Sequence, residues 1–331
     1  MPIPDYGVLR CSVVDHRLAT VSNPHFQLHV VDDASHLRIA INVKSDQEPS
    51  VLQYLVDSNF RHPIVDALTA LPRGWNVLER KPGGAALDFI RGNLFDRDDF
   101  VVLPFDVPGP DNDLNEKLLH YVQRAIGDAD ATAYAFGSRW GPVEPVNSTT
   151  DKVFGFGPDD GIHDIHMNQS NAGSHVSDDG VYQDGALLLH FPAPEQWVAI
   201  FLKFQSQTWH TDDVTGHTIA QPGDAPDGRV RIVGALVNAV ASPETEFATL
   251  LNTTAEAIDL AGWKLVDRDA HAMTLAGALP AGETLRVQLA APVVLPNHGG
   301  VLSLLDAGGL KVDGVAYTAE QAAEPGRTIA F

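Results

Sequence analysis

Residues 216–232 read GHTIAQPGDAPDGRVRI, and this stretch divides the chain into two unlike parts. It holds two prolines and three glycines between two apolar segments, a composition typical of an exposed linker. We therefore predict a linker at 221–228, one domain over 1–220 and a second over 229–331. The length of 331 residues suits two domains.

The part after the linker consists of short apolar segments separated by turn residues. Leu285, Val287 and Leu289 alternate strictly with polar residues, as expected of a strand with one buried face. Turn sequences such as Asn252-Thr253 and Pro280-Ala281-Gly282 separate the segments. This spacing predicts an all-β, immunoglobulin-like sandwich.

The part before the linker mixes strand and helix patterns. The segment QWVAIFLKF (196–204) is almost continuously apolar, which predicts a strand buried on both faces. The segment DLNEKLLHYVQRAIGD (113–128) has a helical apolar stripe, with Asp113 as the predicted N-cap. A second helix is predicted for PSVLQYLVDSNF (49–60). We expect an α+β domain with a mixed or antiparallel sheet and a few helices.

Composition limits the possible partners. The formal net charge of -21 repels nucleic-acid backbones and argues against a duplex ligand. The one cysteine, Cys11, excludes an intramolecular disulfide and a cysteine-rich zinc site. The first residues show no signal-peptide pattern, and no apolar run reaches the ~18 residues of a membrane span. The expected protein is soluble and cytoplasmic, with no membrane partner.

Two polar clusters lie in the N-terminal part. The first is GIHDIHMNQSN (161–171), and the second is the segment QSQTWHTDD (205–213), which follows the apolar strand. Such bunched ionisable residues tend to mark functional sites. Asp164 is placed to orient a neighbouring imidazole. By contrast, His25, His29 and His36 have the pattern of ordinary surface positions on strands.

The clusters predict a hydrolytic site if they converge. Three histidines and a carboxylate suit a zinc, manganese or iron ion, whose bound water attacks a phosphodiester or related ester. Without a metal, paired histidines can perform acid/base catalysis. The predicted metal ligands and catalytic groups are His163, His166, His210 and Asp213, with Lys44 as a further catalytic group. The predicted substrate contacts are Asn168, Gln169, Gln205, Gln207 and Arg139.

Two other interpretations remain open. Asn, Gln, His and Asp also stabilise long loops by hydrogen bonding to the backbone, so the clusters can be purely structural. The chain can also be a non-enzymatic ligand-binding or scaffold protein that uses the sandwich to bind a protein partner. The histidine spacing matches no standard metal motif, which keeps this second class open. The substrate of an enzyme would be a small molecule or a short single strand.

The C-terminal part resembles the lamin-tail domain over 230–315. The similar stretches are LLNTTAEAIDLAGWKLVD (250–267), ALPAGETLRV (278–287) and LPNHGGVLSLLDAGGLKVDGVAY (295–317). The resemblance implies an immunoglobulin-like sandwich in which Trp263 is the large core residue and Gly262 permits a bend beside it.

Residues 6–217 resemble the YukJ-like family of bacterial proteins of unknown function. The matching stretches are AINVKS, GGAALDFIRGNLFD, GPDNDLN, YAFGSRWGP, GIHDIHMNQSN and FQSQTWHTDDVTGH. The resemblance implies a shared site around these polar stretches and no particular activity. Ser170 departs from the glycine expected in the His-Met-Asn-Gln-Gly-Asn pattern.

Overall fold

A computed structural model describes most of the chain. The described residues are 6–20, 22–43, 52–77, 99–102, 113–140, 150–157, 164–167, 185–204, 228–269 and 271–331. They form many strands, few helices and several sheets, so the protein is mostly β. The helices are α1 (Ile64–Thr69) and α2 (Leu114–Gly127). Neither of these helices has the length and apolar character needed to cross a membrane.

The described residues of the N-terminal part form ten strands of one sheet. They are β1 (Tyr6–Arg17), β2 (His25–Val31), β3 (His36–Asn42), β4 (Leu52–Asp57), β5 (Gly74–Val77), β6 (Val101–Val102), β7 (Thr132–Trp140), β8 (Asp164–Met167), β9 (Gly185–Phe191) and β10 (Gln196–Phe204). Their order is β5-β1-β2-β3-β8-β7-β9-β10-β4-β6, with a further pairing of β1 with β7. The pairing of β3 with β8 is parallel, so the predicted mixed sheet is present.

The pairing of β1 with β7 closes five strands into a barrel. The circuit runs β1-β2-β3-β8-β7 and returns to β1. The first half of β1 pairs with β7, and its second half pairs with β2, with an irregularity within that pairing between Val13 and Asp15. A bulge of this kind bends a strand and increases its twist, which lets one strand take part in both sides of a closed sheet.

One apolar core fills the barrel and extends beneath α2. Alternate residues of β2 and β3 point into it, among them Phe26, Leu28 and Ile39. Leu118 and Val122 of α2 belong to the same core. The sequence prediction for α2 is confirmed, and its N-cap Asp113 accepts a hydrogen bond from the Glu116 N–H at 3.1 Å.

The strands β9, β10, β4 and β6 continue the sheet from β7. The prediction that β10 is buried on both faces is confirmed. Its Ile200 belongs to the barrel core, whereas Phe201 belongs to a second cluster with Ile64 and Leu68 of α1. This second cluster covers the opposite face of the sheet.

The predicted helix over 49–60 is wrong where the structure describes it, because residues 52–57 form β4. This strand pairs with β10 from Asp57 to Leu52. Tyr54 packs into the barrel core and Leu55 packs against the second cluster. A strand buried on both faces has apolar residues at consecutive positions, and this run resembled the stripe of a helix.

Ten further strands lie in the described ranges 228–269 and 271–331. They are β11 (Val230–Leu236), β12 (Phe247–Asn252), β13 (Ile258–Asp259), β14 (Lys264–Asp267), β15 (Ala272–Thr274), β16 (Ala278–Leu279), β17 (Thr284–Gln288), β18 (Gly299–Leu305), β19 (Lys311–Thr318) and β20 (Thr328–Ala330). Two antiparallel sheets have the orders β17-β12-β11-β20 and β15-β14-β18-β19, and β13 pairs with β16. One core takes side chains from both four-stranded sheets, for example Leu250 and Leu302.

Trp263 lies in this core with 5% of its surface exposed. Gly262 beside it has φ of +81°, a conformation that L side chains rarely adopt. The expectation of a buried tryptophan next to a glycine bend is therefore confirmed.

The two parts touch near α1. Arg61 Nη1 lies 3.0 Å from Glu320 Oε2, and a Cβ placed on Gly299 would lie 3.3 Å from Pro63 Cγ. Among the strands that the structure describes, none from the first part pairs with one from the second.

Candidate functional site

Most of the predicted site residues lie outside the described part of the chain. These are His163, His210, Asp213, Lys44, Asn168, Gln169, Gln205 and Gln207. The structure therefore leaves their predicted convergence untested. For His166 it gives the backbone, on β8, and it places Arg139 on β7.

Strand β8 brings the backbone of His166 beside β3. In the parallel register His166 is opposite Ala40, and in the antiparallel register it is opposite Ser138. Ile165 is buried in the barrel core. Arg139, which is half-buried, is opposite Ile165. The strand that carries one predicted site residue is thus the direct neighbour of β3.

The outer face of β2 and β3 carries polar residues. Because side chains alternate along a strand, the residues between the core positions point away from the barrel interior. In β2 and β3 these residues are His25, Gln27, His29, His36, Arg38 and Asn42. The pairing register sets His29 opposite Arg38, so polar groups of both strands lie on one surface.

Arg38 connects this surface to residues 150–157, which lie in the connection between β7 and β8. Its Nε donates to Asp151 Oδ1 at 2.7 Å and its Nη1 donates to Gln27 Oε1 at 2.9 Å. The Asp151 side chain has no exposed surface and that of Arg38 has 11%. A buried, charge-assisted pair of this geometry fixes the segment against the sheet.

Asp151 also organises its own turn. Its Oδ2 accepts hydrogen bonds from the N–H groups of Val153 at 2.9 Å and Phe154 at 2.7 Å. Burial alone would raise the pKa of Asp151, but the bonds from the Phe154 N–H and from Arg38 outweigh it. The pKa of the carboxyl is therefore lowered, and the group is ionised at neutral pH.

Two imidazoles lie beneath this segment. His29 Nε2 and His36 Nδ1 are 2.8 Å apart, within hydrogen-bond distance. The His29 ring stacks against Phe154 and Phe156, each with a centroid distance of 5.2 Å. Burial, and next the neighbouring His36, lower the pKa of His29. Both rings remain partly exposed.

The end of β1 completes the arrangement. The Arg17 guanidinium carbon lies 5.0 Å from the centroid of Phe154, and Arg17 also pairs with Asp15 at 2.7 Å. His16 lies against Phe26, and its buried Nδ1 has no hydrogen-bond partner among the described residues. We use the term barrel-face cluster for six residues: Arg17, His29, His36, Arg38, Asp151 and Phe154.

The barrel-face cluster combines groups suited to binding and to proton transfer. A neutral imidazole with a lowered pKa accepts a proton near neutral pH, and its hydrogen-bonded partner can pass one on. The Arg17 guanidinium and the Phe154 ring suit an anionic ligand with a flat group. Within the described ranges, no three His, Cys, Asp or Glu side chains are grouped to hold a metal ion. The predicted metal ligands fall almost entirely outside those ranges.

His29 and His36 have no recognisable role in the sequence, because single histidines on strands are usually surface residues. The feature of the sequence that could have identified them is the hairpin formed by β2 and β3. Both strands alternate apolar and polar residues across the short Asp32–Ser35 turn, which puts their polar residues on one face. Nothing in the sequence indicated that Phe154 would cover that face, because the contact joins residues more than a hundred positions apart.

Comparison with known proteins covers the part of the chain that contains the barrel. A family model described as "Uncharacterized conserved protein (DUF2278)" matches residues 1–216. A protein of Bacillus subtilis (strain 168), "Uncharacterized protein YukJ", is 40% identical over 217 residues. That match covers 64% of this chain and 93% of the Bacillus protein. The resemblance to the YukJ-like family is thereby confirmed, and the chain belongs to the DUF2278 family.

Proposed function

We propose that the protein is a hydrolase of phosphodiester or related ester bonds that works through the barrel-face cluster. The observation that carries this proposal is the His29–His36 pair, with its ring nitrogens 2.8 Å apart on the outside of the barrel. Two histidines in such contact can share the roles of general base and general acid.

The surroundings of the pair support this chemistry. The lowered pKa of His29 keeps its imidazole neutral at neutral pH, so it can take a proton from an attacking water. Arg17, whose side chain is half exposed, is available to neutralise a phosphate oxygen, although it must share its charge with Asp15. Arg38 is held by Asp151 and Gln27, and it orients the segment that bears Phe154.

The described part of the first polar cluster lies on a strand next to this site. Strand β8 carries His166 opposite Ala40 of β3, the strand that also bears His36 and Arg38. In the metal-dependent form of the proposal, His163, His166, His210 and Asp213 hold a zinc, manganese or iron ion. Elemental analysis of the purified protein tests this form. A stoichiometric metal that is lost in His163→Ala supports it, and a metal-free active protein rejects it.

The acid/base form is tested with bis(p-nitrophenyl) phosphate and p-nitrophenyl acetate. We expect His29→Gln and His36→Gln to lower kcat/KM by about 10²–10⁴-fold, the usual loss of a general acid or base. His298→Gln, an exposed histidine of the C-terminal part, is the matched control and should leave the rate unchanged. Because the pKa of His29 is lowered, the base form should persist below pH 6.5, the ordinary histidine value.

A non-enzymatic ligand-binding or scaffold protein is the second candidate. It is favoured by the anchoring of the aromatic segment through the Arg38–Asp151 pair, which builds a fixed surface without requiring a reaction. In this case neither substrate is turned over, and neither histidine variant changes any rate. Ligand binding is then the only property that the barrel-face cluster confers.

For the C-terminal part we propose an immunoglobulin-like sandwich of the lamin-tail type that serves as an interaction module. Two four-stranded sheets around one core and the buried Trp263 support this proposal. We further propose the division into domains 1–220 and 229–331 and a cytoplasmic location. The C-terminal domain would bind a protein partner, whereas the N-terminal domain would act on a small molecule or a short strand.

A further inference from the structure

The barrel has the topology of an oligonucleotide- or oligosaccharide-binding barrel, the OB-fold. That fold is a five-stranded barrel in which strands one to three form a meander and strand three lies parallel to strand five. Strand four pairs with strands five and one, and a helix precedes strand four. Here β1, β2 and β3 form the meander, α2 precedes β7, and β8 lies parallel to β3.

The barrel-face cluster lies where this topology places a ligand. OB-folds bind ligands on the outer face of strands two and three, between the connection of strands one and two and the connection of strands four and five. Here His29, His36 and Arg38 lie on that face. Arg17 ends the strand before the first connection, and Phe154 belongs to the second.

We propose that the ligand of this face is a short single-stranded oligonucleotide, with a base against the exposed part of the Phe154 ring and a phosphate beside Arg17. This inference rests on the site of the proposed function and names its substrate class. Single-strand binding combines aromatic stacking platforms with cations along the backbone, and both occur here. An exposed Lys152 adds a further cation to the same segment.

The charge distribution favours a short single strand over a duplex. The whole chain carries a formal charge of -21, which repels a long polyanion. At the barrel face the carboxylates of Asp15 and Asp151 are each paired with an arginine. The local repulsion is thus small over a few nucleotides. An uncharged oligosaccharide could pack against the aromatic rings, but it carries no phosphate with which Arg17 could pair.

Binding is tested by fluorescence anisotropy of 5′-fluorescein-labelled (dT)8 and U8 with the full-length His36→Gln protein, in which cleavage is slowed and the Phe154 ring and Arg17 are retained. We expect Phe154→Leu to weaken binding about 5- to 150-fold, the range measured for loss of one base–aromatic stack. Arg17→Gln should weaken it and reduce the slope of log K against log salt by about one. Circular dichroism verifies that each variant is folded.

The sandwich offers a matched control. Arg286 lies over the ring of Phe247 at 3.8 Å, the same kind of pair in the other part of the chain. Phe247→Leu and Arg286→Gln should leave oligonucleotide binding unchanged. Equal losses from both pairs would overturn the inference, because the effect would then be a general one of charge or stability.

Three other outcomes would also overturn it: no binding of either oligonucleotide, equal or tighter binding of a duplex octamer, or binding only of a cello- or chito-oligosaccharide in calorimetry. If p-nitrophenyl esters are still hydrolysed in these cases, the proposed function survives and only the substrate class fails. Oligonucleotide binding without any ester hydrolysis would instead reject the catalytic proposal and support the ligand class.

Discussion

The barrel and the sandwich each contain a buried carboxylate and an arginine over a phenylalanine ring, but they use these groups differently. In the barrel, Asp151 binds Arg38 of another strand and fixes an aromatic segment on the sheet. In the sandwich, Asp267 accepts hydrogen bonds from the N–H groups of Asp269 and His271 in its own turn and from that of Val294.

The difference shows how a polar residue can be recognised as structural or as a possible site residue. The sandwich carboxylate accepts hydrogen bonds from backbone N–H groups, and its side-chain partner, the imidazole of His271 at 3.0 Å, belongs to the same turn. The barrel carboxylate holds together side chains from β1, β2, β3 and the segment before β8. Imidazoles, a guanidinium and a ring thus meet at one surface, which is the arrangement that a binding site requires.

The largest effect is expected in the sandwich core. Trp263→Ala should lower the free energy of unfolding by about 3–5 kcal/mol, because it leaves a large cavity in a close-packed core. Urea denaturation of the full chain followed by circular dichroism measures this loss. Val240→Ala, at a side chain that is 77% exposed, is the control and should change stability by about 0.5 kcal/mol or less. A loss from Trp263→Ala as small as that of the control would show that the core does not depend on this residue.

A smaller effect is expected at the barrel anchor. Asp151→Asn keeps the size of the side chain but removes its charge beside Arg38, so we expect a loss of about 1.5–3 kcal/mol. The same variant should make Lys152, within residues 150–157, more accessible to trypsin. In a double-mutant cycle with Arg38→Met, additive losses would mean that the pair does not anchor the segment.

The acid dependence of stability should separate the two regions. The pKa of Asp151 is lowered, so its stabilisation is complete above its unfolded value of about 3.9 and is lost as pH falls through the folded value. Burial raises the pKa of Asp313 on β19, so the folded state disfavours the ionised carboxyl. Protonation of Asp313 therefore increases the stability of the fold as the pH falls towards about 4.

Two variants measure these contributions in denaturation curves between about pH 7 and 2. Asp151→Asn should flatten the fall in stability below about pH 4. Asp313→Asn should abolish the increase in stability on acidification towards about pH 4, because the asparagine side chain cannot take up the proton. Identical pH profiles for both variants would contradict the assignment.

The smallest effect is expected at the contact between the two parts. Arg61 and Glu320 form a pair in which both side chains are largely exposed, so Arg61→Ala should change stability by about 1 kcal/mol or less.

Limited proteolysis should cleave within 221–228 in the wild-type protein and in the Arg61→Ala variant, and it should leave a stable N-terminal fragment. First cleavage inside 114–126 would contradict the predicted boundary.

Sequence reasoning predicted most elements but misplaced those whose environment is set by distant neighbours. The capped α2 and the strand β10 were predicted because their patterns are local and long. The segment that forms β4 was misread because burial on both faces removes the alternation that identifies a strand. Of the predicted site residues, only His166 and Arg139 fall in described strands, so the predicted site is largely untested.

The sequence by itself determined the mostly β character of the chain, its change of pattern near 221–228 and its resemblance to the YukJ-like family. These properties depend on composition, local periodicity and motif, which are all readable from neighbouring residues. Only the tertiary structure decided that β1 closes a barrel with β7 and that Phe154 and Phe156 cover the His29–His36 pair. Those contacts join residues far apart in the chain, and they form because strand pairing and burial are satisfied together in the folded state.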